Sequence, residues 1–303
     1  CGTDVHLHKG KLEGVPYPII PGHVSVGRIA ESYQVDTDAL GRPVHKGDLV
    51  TFLDVHEVCG SCYHCLVKSQ PNRCPSRKVY GITYGANDGL FGGWAEQIYL
   101  QPGVHVLKLP GGLTAEDVIG GGCGLFTGFG AVSRSEMKMG DIVVVQGCGP
   151  VGLSAAAFAN LRGAGRVILI GEPSTRLDLG KKLGVDEVLD LGVLDHEFLC
   201  EEVKSLTAGR AVDVVIEASG NPVAVSQGFE MIRDGGTYVV AGHYTDAGAI
   251  QMNPHLDINR KHIVLKGQWG TEFHHLVGAL SLLSKHRDRL PFASVIGATY
   301  SAS

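Results

Sequence analysis

The sequence predicts an α/β protein in which a doubly wound parallel sheet is joined to a second, mainly β unit carrying a metal lobe. Three observations predict it. From Asp141 onward, short apolar runs alternate with amphipathic stretches, the pattern of β-α-β units around a parallel sheet. A G-x-G-x-x-G loop, Gly147 to Gly152, follows the first of those runs. Before it, residues 1 to about 120 are rich in Gly, Pro, His and Cys, with four closely spaced cysteines among short apolar runs.

At 303 residues, with 44% hydrophobic and 19% charged content, the chain is long enough for two domains, each with its own core. A net charge of -5 with no block of like charges leaves no electrostatic footprint for nucleic acid or an anionic membrane, so the expected partners are small molecules. No apolar run reaches the roughly 20 residues that span a bilayer, and no charged-then-apolar leader stands at the start, so a cytoplasmic protein is expected. Six of the eight cysteines sit in metal-ligand spacings. Without a secretory signal, zinc is a better reading of them than disulfides.

In the first part, Gly47 to Leu53 and Trp94 to Leu100 read as apolar runs bounded by turn residues. In the second, the predicted strands are Ile142 to Gln146, Arg166 to Ile170, Glu187 to Leu191, Val212 to Glu217, Thr237 to Ala241 and His262 to Lys266. Between them a helix is predicted from Val151 to Leu161. Pro173 and Pro222 are placed in first helical turns, and Gly184 ends a helix after Lys181-Lys182-Leu183. Residues 272 to 286 read as a further helix, with Phe273, Leu276, Val277, Leu280 and Leu283 as a core stripe.

In the glycine loop, Gly147 permits the tight turn, Gly149 lets a pyrophosphate approach backbone N–H groups, and Gly152 lets helix and strand pack closely. Pro150 and Val151 open a helix whose N-terminus attracts phosphate. An acid is expected about 20 residues on, at the ribose. Gly171 stands in its usual place, with Glu172 next to it. If Glu172 turns to the ribose it repels a 2'-phosphate and selects NAD. If it faces solvent, Gly171 leaves room for that phosphate and Arg176 pairs with it. The reading leans to NAD, with NADP left open.

Cys59-x-x-Cys62-x-x-Cys65, followed by Cys74, offers four thiolates to a closed, structural zinc. Sites of this kind stabilise small peptides by about 10–16 kcal/mol. His64 is read as a bystander. A zinc-ribbon module for nucleic acid shares the spacing, but the neighbourhood is not basic enough for it. A catalytic zinc takes three protein ligands and keeps one open position. Cys1, His23 and Cys123 are a candidate set, each weak alone and strengthened by their order around the cysteine lobe and the glycine loop.

With these motifs in this order, the sequence resembles the zinc-containing medium-chain alcohol dehydrogenase family over nearly its whole length. The resemblance implies a GroES-like catalytic domain over residues 1–124 with its zinc lobe at 59–74. A Rossmann dinucleotide-binding domain over 125–268 would follow, and 269–303 would return to the catalytic domain. It further implies that Cys1, His23 and Cys123 hold the catalytic zinc, the two-cysteine, one-histidine set of alcohol dehydrogenases. Asp4 would orient His23, Thr3 would receive the substrate hydroxyl proton, and His6 would pass it toward solvent through the cofactor ribose. Thr127 would pack beside the nicotinamide, Arg176 would lie at the ribose, and Ala241 and His243 would face the nicotinamide end of the cleft. The implied reaction is hydride exchange between an alcohol or carbonyl and a nicotinamide cofactor, in a homodimer or homotetramer joined near residues 250 to 270.

The sequence departs from the family pattern in places. Val24 follows His23 where Glu is usual, Gly2 replaces a basic residue used on the pyrophosphate, and the Cys65 to Cys74 spacing is one residue longer than in many relatives. Relatives carry strands before the position of Cys1 and a strand and helix after that of Ser303, so a longer natural protein is expected. Two other readings are a quinone or enone reductase of the same superfamily, which typically lacks the cysteine lobe, and a non-catalytic redox sensor that binds zinc and dinucleotide. Val55, His56 and Trp94 are candidates for the substrate pocket, Trp94 equally for a core anchor. His243 favours a hydroxylated substrate. Cys200 reads as helix packing and Cys148 as a variable loop position.

Overall fold

The computed structural model describes residues 2–31, 36–195 and 197–300, and they fall into two compact units. The first comprises residues up to Cys123, Gly270–Arg287 and residues from Ile296 on. Its elements are α1 (Gly2–His8), β1 (Val26–Arg28), β2 (Leu49–Phe52), β3 (Val55–His56), α2 (Tyr63–Leu66), β4 (Lys78–Val79), β5 (Val106–Lys108) and α3 (Ala115–Ile119). β1, β2 and β5 form an antiparallel sheet with β2 central, and β3 pairs with β4. The core is aromatic: Phe52, Tyr80, Tyr84 and Phe91 cluster, with the Tyr84 and Phe91 rings 4.6 Å apart. Asp38 ties a loop to this sheet by accepting from the N–H groups of Leu40, Arg42 and Lys108 and from the Arg42 guanidinium.

The apolar run at 94–100 forms no regular strand. Gly92 and Gly93 press against residues 20–22 so tightly that a Cβ at Gly92 would lie 1.9 Å from the Ile20 carbonyl oxygen. The Trp94 N–H then bonds to the Pro21 carbonyl, and this loop-on-loop contact replaces a ladder. Trp94 is exposed rather than a core anchor.

The second unit comprises Gly124–Trp269 and Asp288–Val295. Helix α4 (Gly122–Ser135) leads into it, followed by β6 (Ile142–Gln146), α5 (Pro150–Arg162), β7 (Arg166–Gly171), α6 (Ser174–Lys182), β8 (Glu187–Asp190), α7 (Leu199–Leu206), β9 (Val212–Glu217), α8 (Pro222–Met231), β10 (Ile232–Val240) and β11 (Val264–Gly267). The six strands are parallel in the order β11-β10-β9-β6-β7-β8. The chain winds outward from β6 through β7 to β8, then crosses back to β9 and winds the other way, which is the doubly wound plan predicted. Val143, Val144, Val145, Ile168, Leu169, Val215 and Ile216 are buried in this sheet, as strands covered on both faces require.

Local signals account for the helix ends. Gly163 at φ +97 caps α5, and Gly184 at φ +89 follows α6. Asn221 caps α8, with Pro222 at its first position. Pro173 stands just outside α6 rather than within its first turn. β10 starts earlier than predicted, at Ile232, across a register shift that precedes Thr237. The final helix, α9 (Phe273–Lys285), belongs to the first unit and buries Leu276, Ala279, Leu280 and Leu283. No described helix is long and apolar enough to cross a membrane.

Candidate active site

Within the first unit, α1 turns Thr3 and Leu7 inward, as its i, i+4 spacing dictates. His23 is almost fully buried in the loop after Gly22, whose φ of +97 and contact with the Trp94 backbone leave no room for a side chain. The His23 Nδ1 lies 3.9 Å from the Asp4 Oδ1. The Thr3 hydroxyl hydrogen-bonds the Cys123 thiol at the start of α4, and burial pushes that thiol up to about 12. A fifth group, Asp54, joins them from just beyond the end of β2. Asp54 is half-buried, and desolvation raises its carboxyl above the usual value while the nearby His23 imidazole opposes the shift. The charges of Asp54 and Asp4 also reach Cys123. Thr3, Asp4, His23, Asp54 and Cys123 therefore converge, whereas Cys1 lies outside the described residues.

An imidazole and a thiol beside carboxyls are donor types that suit zinc, although among the described residues His23, Cys123, Asp4 and Asp54 form no compact group of three donors. His6 is half-buried farther along α1, and burial together with Lys11 and Lys9 holds its imidazole below the usual pKa. Val55 and His56 line a separate cavity of about 340 Å³ within this unit, with Leu53, Pro71, His105 and Phe273. His56 pairs there with the Tyr84 hydroxyl, which donates to Glu57 at 3.1 Å. Trp94 does not line it.

In the cysteine lobe, one sulfur from each of Cys59, Cys62, Cys65 and Cys74 lies within 4.8 Å of the others, the one such group of metal donors among the described residues. α2 carries Cys65, with Cys62 at its cap, and a single turn at Pro71–Arg73 delivers Cys74. The backbone reinforces the cluster: the Cys59 N–H donates to Cys74 Sγ and the Cys62 N–H to Cys59 Sγ. N–H and hydroxyl donation from Ser61 draws the Cys59 thiol down to about 6, while burial drives Cys65 up to about 12. Four sulfurs at this separation suit one tetrahedral zinc. His64 is exposed.

In the second unit the glycine loop has the geometry its composition demands. Gly147 sits at φ +104 against Ala218 and Ser219, and a Cβ at Gly152 would lie 1.7 Å from the Gly147 carbonyl oxygen. Gly149, by contrast, faces open space. As N-cap of α5 it supplies no side-chain acceptor, so the first-turn N–H groups of the helix suit a phosphate. These features fit a dinucleotide. Pro150 and Val151 form that first turn, and Thr127 lies one turn beyond Cys123 on α4.

Gly171 cannot carry the missing acid, because a Cβ there would meet the Cys148 Sγ at 2.6 Å and the Cys148 backbone nitrogen at 2.9 Å. Glu172 and Arg176 are exposed beyond it, and the Arg176 charge reaches Cys148. Ala241 is buried, its N–H on the Glu217 carbonyl, and the His243 Nε2 lies 3.7 Å from Glu217 Oε2. Cys200 is buried on α7.

Comparison with known proteins shows what this arrangement belongs to. Residues 1–111 match the model of the alcohol dehydrogenase GroES-like domain, and residues 150–285 that of the zinc-binding dehydrogenase domain. The chain is 31% identical over 303 residues to 5-exo-hydroxycamphor dehydrogenase of Pseudomonas putida, covering 99% of this chain and 82% of that protein. The chain belongs to the zinc-containing medium-chain alcohol dehydrogenase family. The crystal structure of an alcohol dehydrogenase from Thermotoga maritima superposes with a TM-score of 0.90 at 33% identity, over 96% of this chain and 80% of that one. A Sinorhizobium meliloti protein described as a zinc-binding dehydrogenase and solved with NADP gives 0.77 at 25% identity, over 94% and 78%. This family member is thus a zinc-dependent oxidoreductase acting on alcohols with a nicotinamide cofactor, and its substrates are small alcohols or carbonyl compounds.

Two acids of this dehydrogenase, the half-buried Asp54 and the buried Glu217, escape sequence reasoning. Asp54 is a lone acid inside the apolar run Phe52 to Val55, and Glu217 ends the apolar strand Val212–Glu217. Both signals are visible as a charged residue where period and neighbours demand an apolar one, a pattern that marks function when the charge is buried.

Proposed function

We propose that this dehydrogenase interconverts an alcohol and its carbonyl compound with NAD, using a zinc held by Cys1, His23 and Cys123, while a second zinc on Cys59, Cys62, Cys65 and Cys74 closes the lobe. The observation that carries the reading is the meeting of Thr3 with Cys123 and of Asp4 with His23 in one desolvated place. A bound zinc supplies Lewis acidity, which brings a hydroxyl proton within reach of neutral pH. Asp4, 3.9 Å from the imidazole, orients His23, with Asp54 beside it. The Thr3 hydroxyl, already hydrogen-bonded beside Cys123, accepts the substrate proton, and His6 passes it toward solvent. NAD supplies the hydride acceptor. Gly147, Gly149, Pro150, Val151 and Gly152 cradle its pyrophosphate, Thr127, Ala241 and His243 take the nicotinamide end, and Glu172 meets the ribose hydroxyls beyond the closed position of Gly171.

A second reading, NADP, is favoured by the Arg176 charge near Cys148 and by the NADP bound in the Sinorhizobium relative. We further infer a cytoplasmic homodimer or homotetramer. Val264 and Leu265 leave β11, at the edge of the sheet, apolar and exposed together with Met252 and Leu256, which favours association along that edge. The test is kcat/KM for a panel of alcohols with NAD and with NADP, alongside metal analysis. The reading expects turnover with two zincs per chain and a higher kcat/KM with NAD. A strong NADP preference overturns the cofactor choice, and two zincs without any hydride transfer favours a sensor.

A further inference from the structure

We propose that Glu217 is a positioning residue for the nicotinamide half of the cofactor, its buried carboxylate clamping together the loops that follow β9 and β10. The proposal rests on the nicotinamide reading above. Glu217 is the last residue of β9, in register with Gln146 of β6 and Val240 of β10. The sheet reverses its winding between β6 and β9, and in parallel sheets the ligand crevice opens at that reversal, beyond the carboxyl ends of the strands.

A carboxylate wholly buried there, as this one is, costs free energy unless donors surround it. Its hydrogen-bond partners are donors. Oε1 accepts from the Ser219 N–H at 2.6 Å, the Ser219 hydroxyl at 2.8 Å and the Gly220 N–H at 2.7 Å. Oε2 accepts from the Gly242 N–H at 3.2 Å. The Glu217 carbonyl meanwhile takes the N–H groups of Ala241 and Gly242.

One side chain thus ties residues 219–220 to residues 241–242. The two loops touch so closely that a Cβ at Gly242 would lie 2.3 Å from the Gly220 nitrogen. On the other side the same segment carries Ala218 and Ser219, against which Gly147 of the phosphate loop packs. The clamp therefore builds the crevice wall adjoining the phosphate loop, on the side of the sheet away from the Gly171 to Arg176 strand end. His243 leaves the clamp with its Nε2 3.7 Å from Oε2, buried and without a hydrogen-bond partner among the described residues. A polar atom held dry at a crevice wall is placed to meet a ligand group.

The two halves of the cofactor separate this role from general support of the fold. AMP occupies the adenosine end only, whereas NADH needs both ends. The experiment measures equilibrium binding of AMP and NADH to the zinc-loaded full chain, for the wild type, Glu217→Ala and Glu217→Gln, with bound-NADH fluorescence as a second readout. In Glu217→Ala, NADH affinity should fall roughly tenfold or more with AMP affinity unchanged, and the bound nicotinamide should lose its altered emission. Glu217→Gln keeps an acceptor for Ser219 and Gly220 but sets an amide N–H2 against the Gly242 N–H. It should show the same split at smaller size and decides the matter if the alanine variant does not fold. NADH binding equal to wild type in Glu217→Gln, or AMP and NADH affinities falling in parallel, would overturn the clamp. A wild-type chain binding neither ligand would instead refute the cofactor reading beneath it.

Discussion

Asp54 shows how a half-buried acid takes its character from its surroundings. Its carboxyl is raised by burial and drawn back by His23, so the pair share an environment in which the imidazole's orientation depends on neighbouring acids. Groups that orient a metal ligand typically contribute about 10- to 100-fold in metal affinity. Asp54→Asn is therefore expected to weaken the more labile zinc by about that factor in chelator competition, leaving the lobe zinc in place; an unchanged affinity would remove Asp54 from the site. Residues of this kind are hard to read in a sequence. The glycines at 147, 149 and 152 announce themselves because each identity records a steric condition local to the loop. Asp54 and Glu217 look like ordinary acids, and only the closure of distant segments half-buries the first and buries the second.

Among the elements, the loop at Asp38 is held to β5 by bonds to one carboxylate. Burial alone would raise its pKa, but donation from Arg42, Lys108 and Leu40 outweighs it and holds the carboxyl below its usual value. A depressed carboxyl contributes stability that is present above the unfolded pKa near 4 and is lost as pH falls through the folded value. Asp38→Ala should destabilise the first unit by about 2–3 kcal/mol at neutral pH, and the difference from wild type should shrink on acidification below about pH 4. Denaturant melts at pH 7 and pH 3 check both, and a pH-independent difference would contradict the assignment. The strands of the parallel sheet were legible because burial on both faces leaves unbroken apolar runs. The apolar run at 94–100 forms no strand, because Gly92 and Gly93 commit the backbone to another loop.

For the molecule as a whole, the fold class was legible because the apolar runs and helices after Asp141 and the glycine loop between them agree with one another. The association proposed above runs along the edge of the sheet. Leu265 is exposed on β11, and a charge there should oppose edge-to-edge association. Leu265→Lys is expected to shift the sedimentation coefficient toward that of a single chain while NADH binding persists; a coefficient unchanged from wild type would place the interface elsewhere.

The central claim is that side chains far apart in the sequence gather around one open-sided zinc, and anomalous diffraction at the zinc edge from crystals of the protein tests it most directly. The account predicts two peaks, one amid the four lobe sulfurs and one about 2.0–2.3 Å from both the His23 imidazole nitrogen and the Cys123 sulfur. A single peak confined to the lobe, or a second peak away from His23 and Cys123, would contradict it.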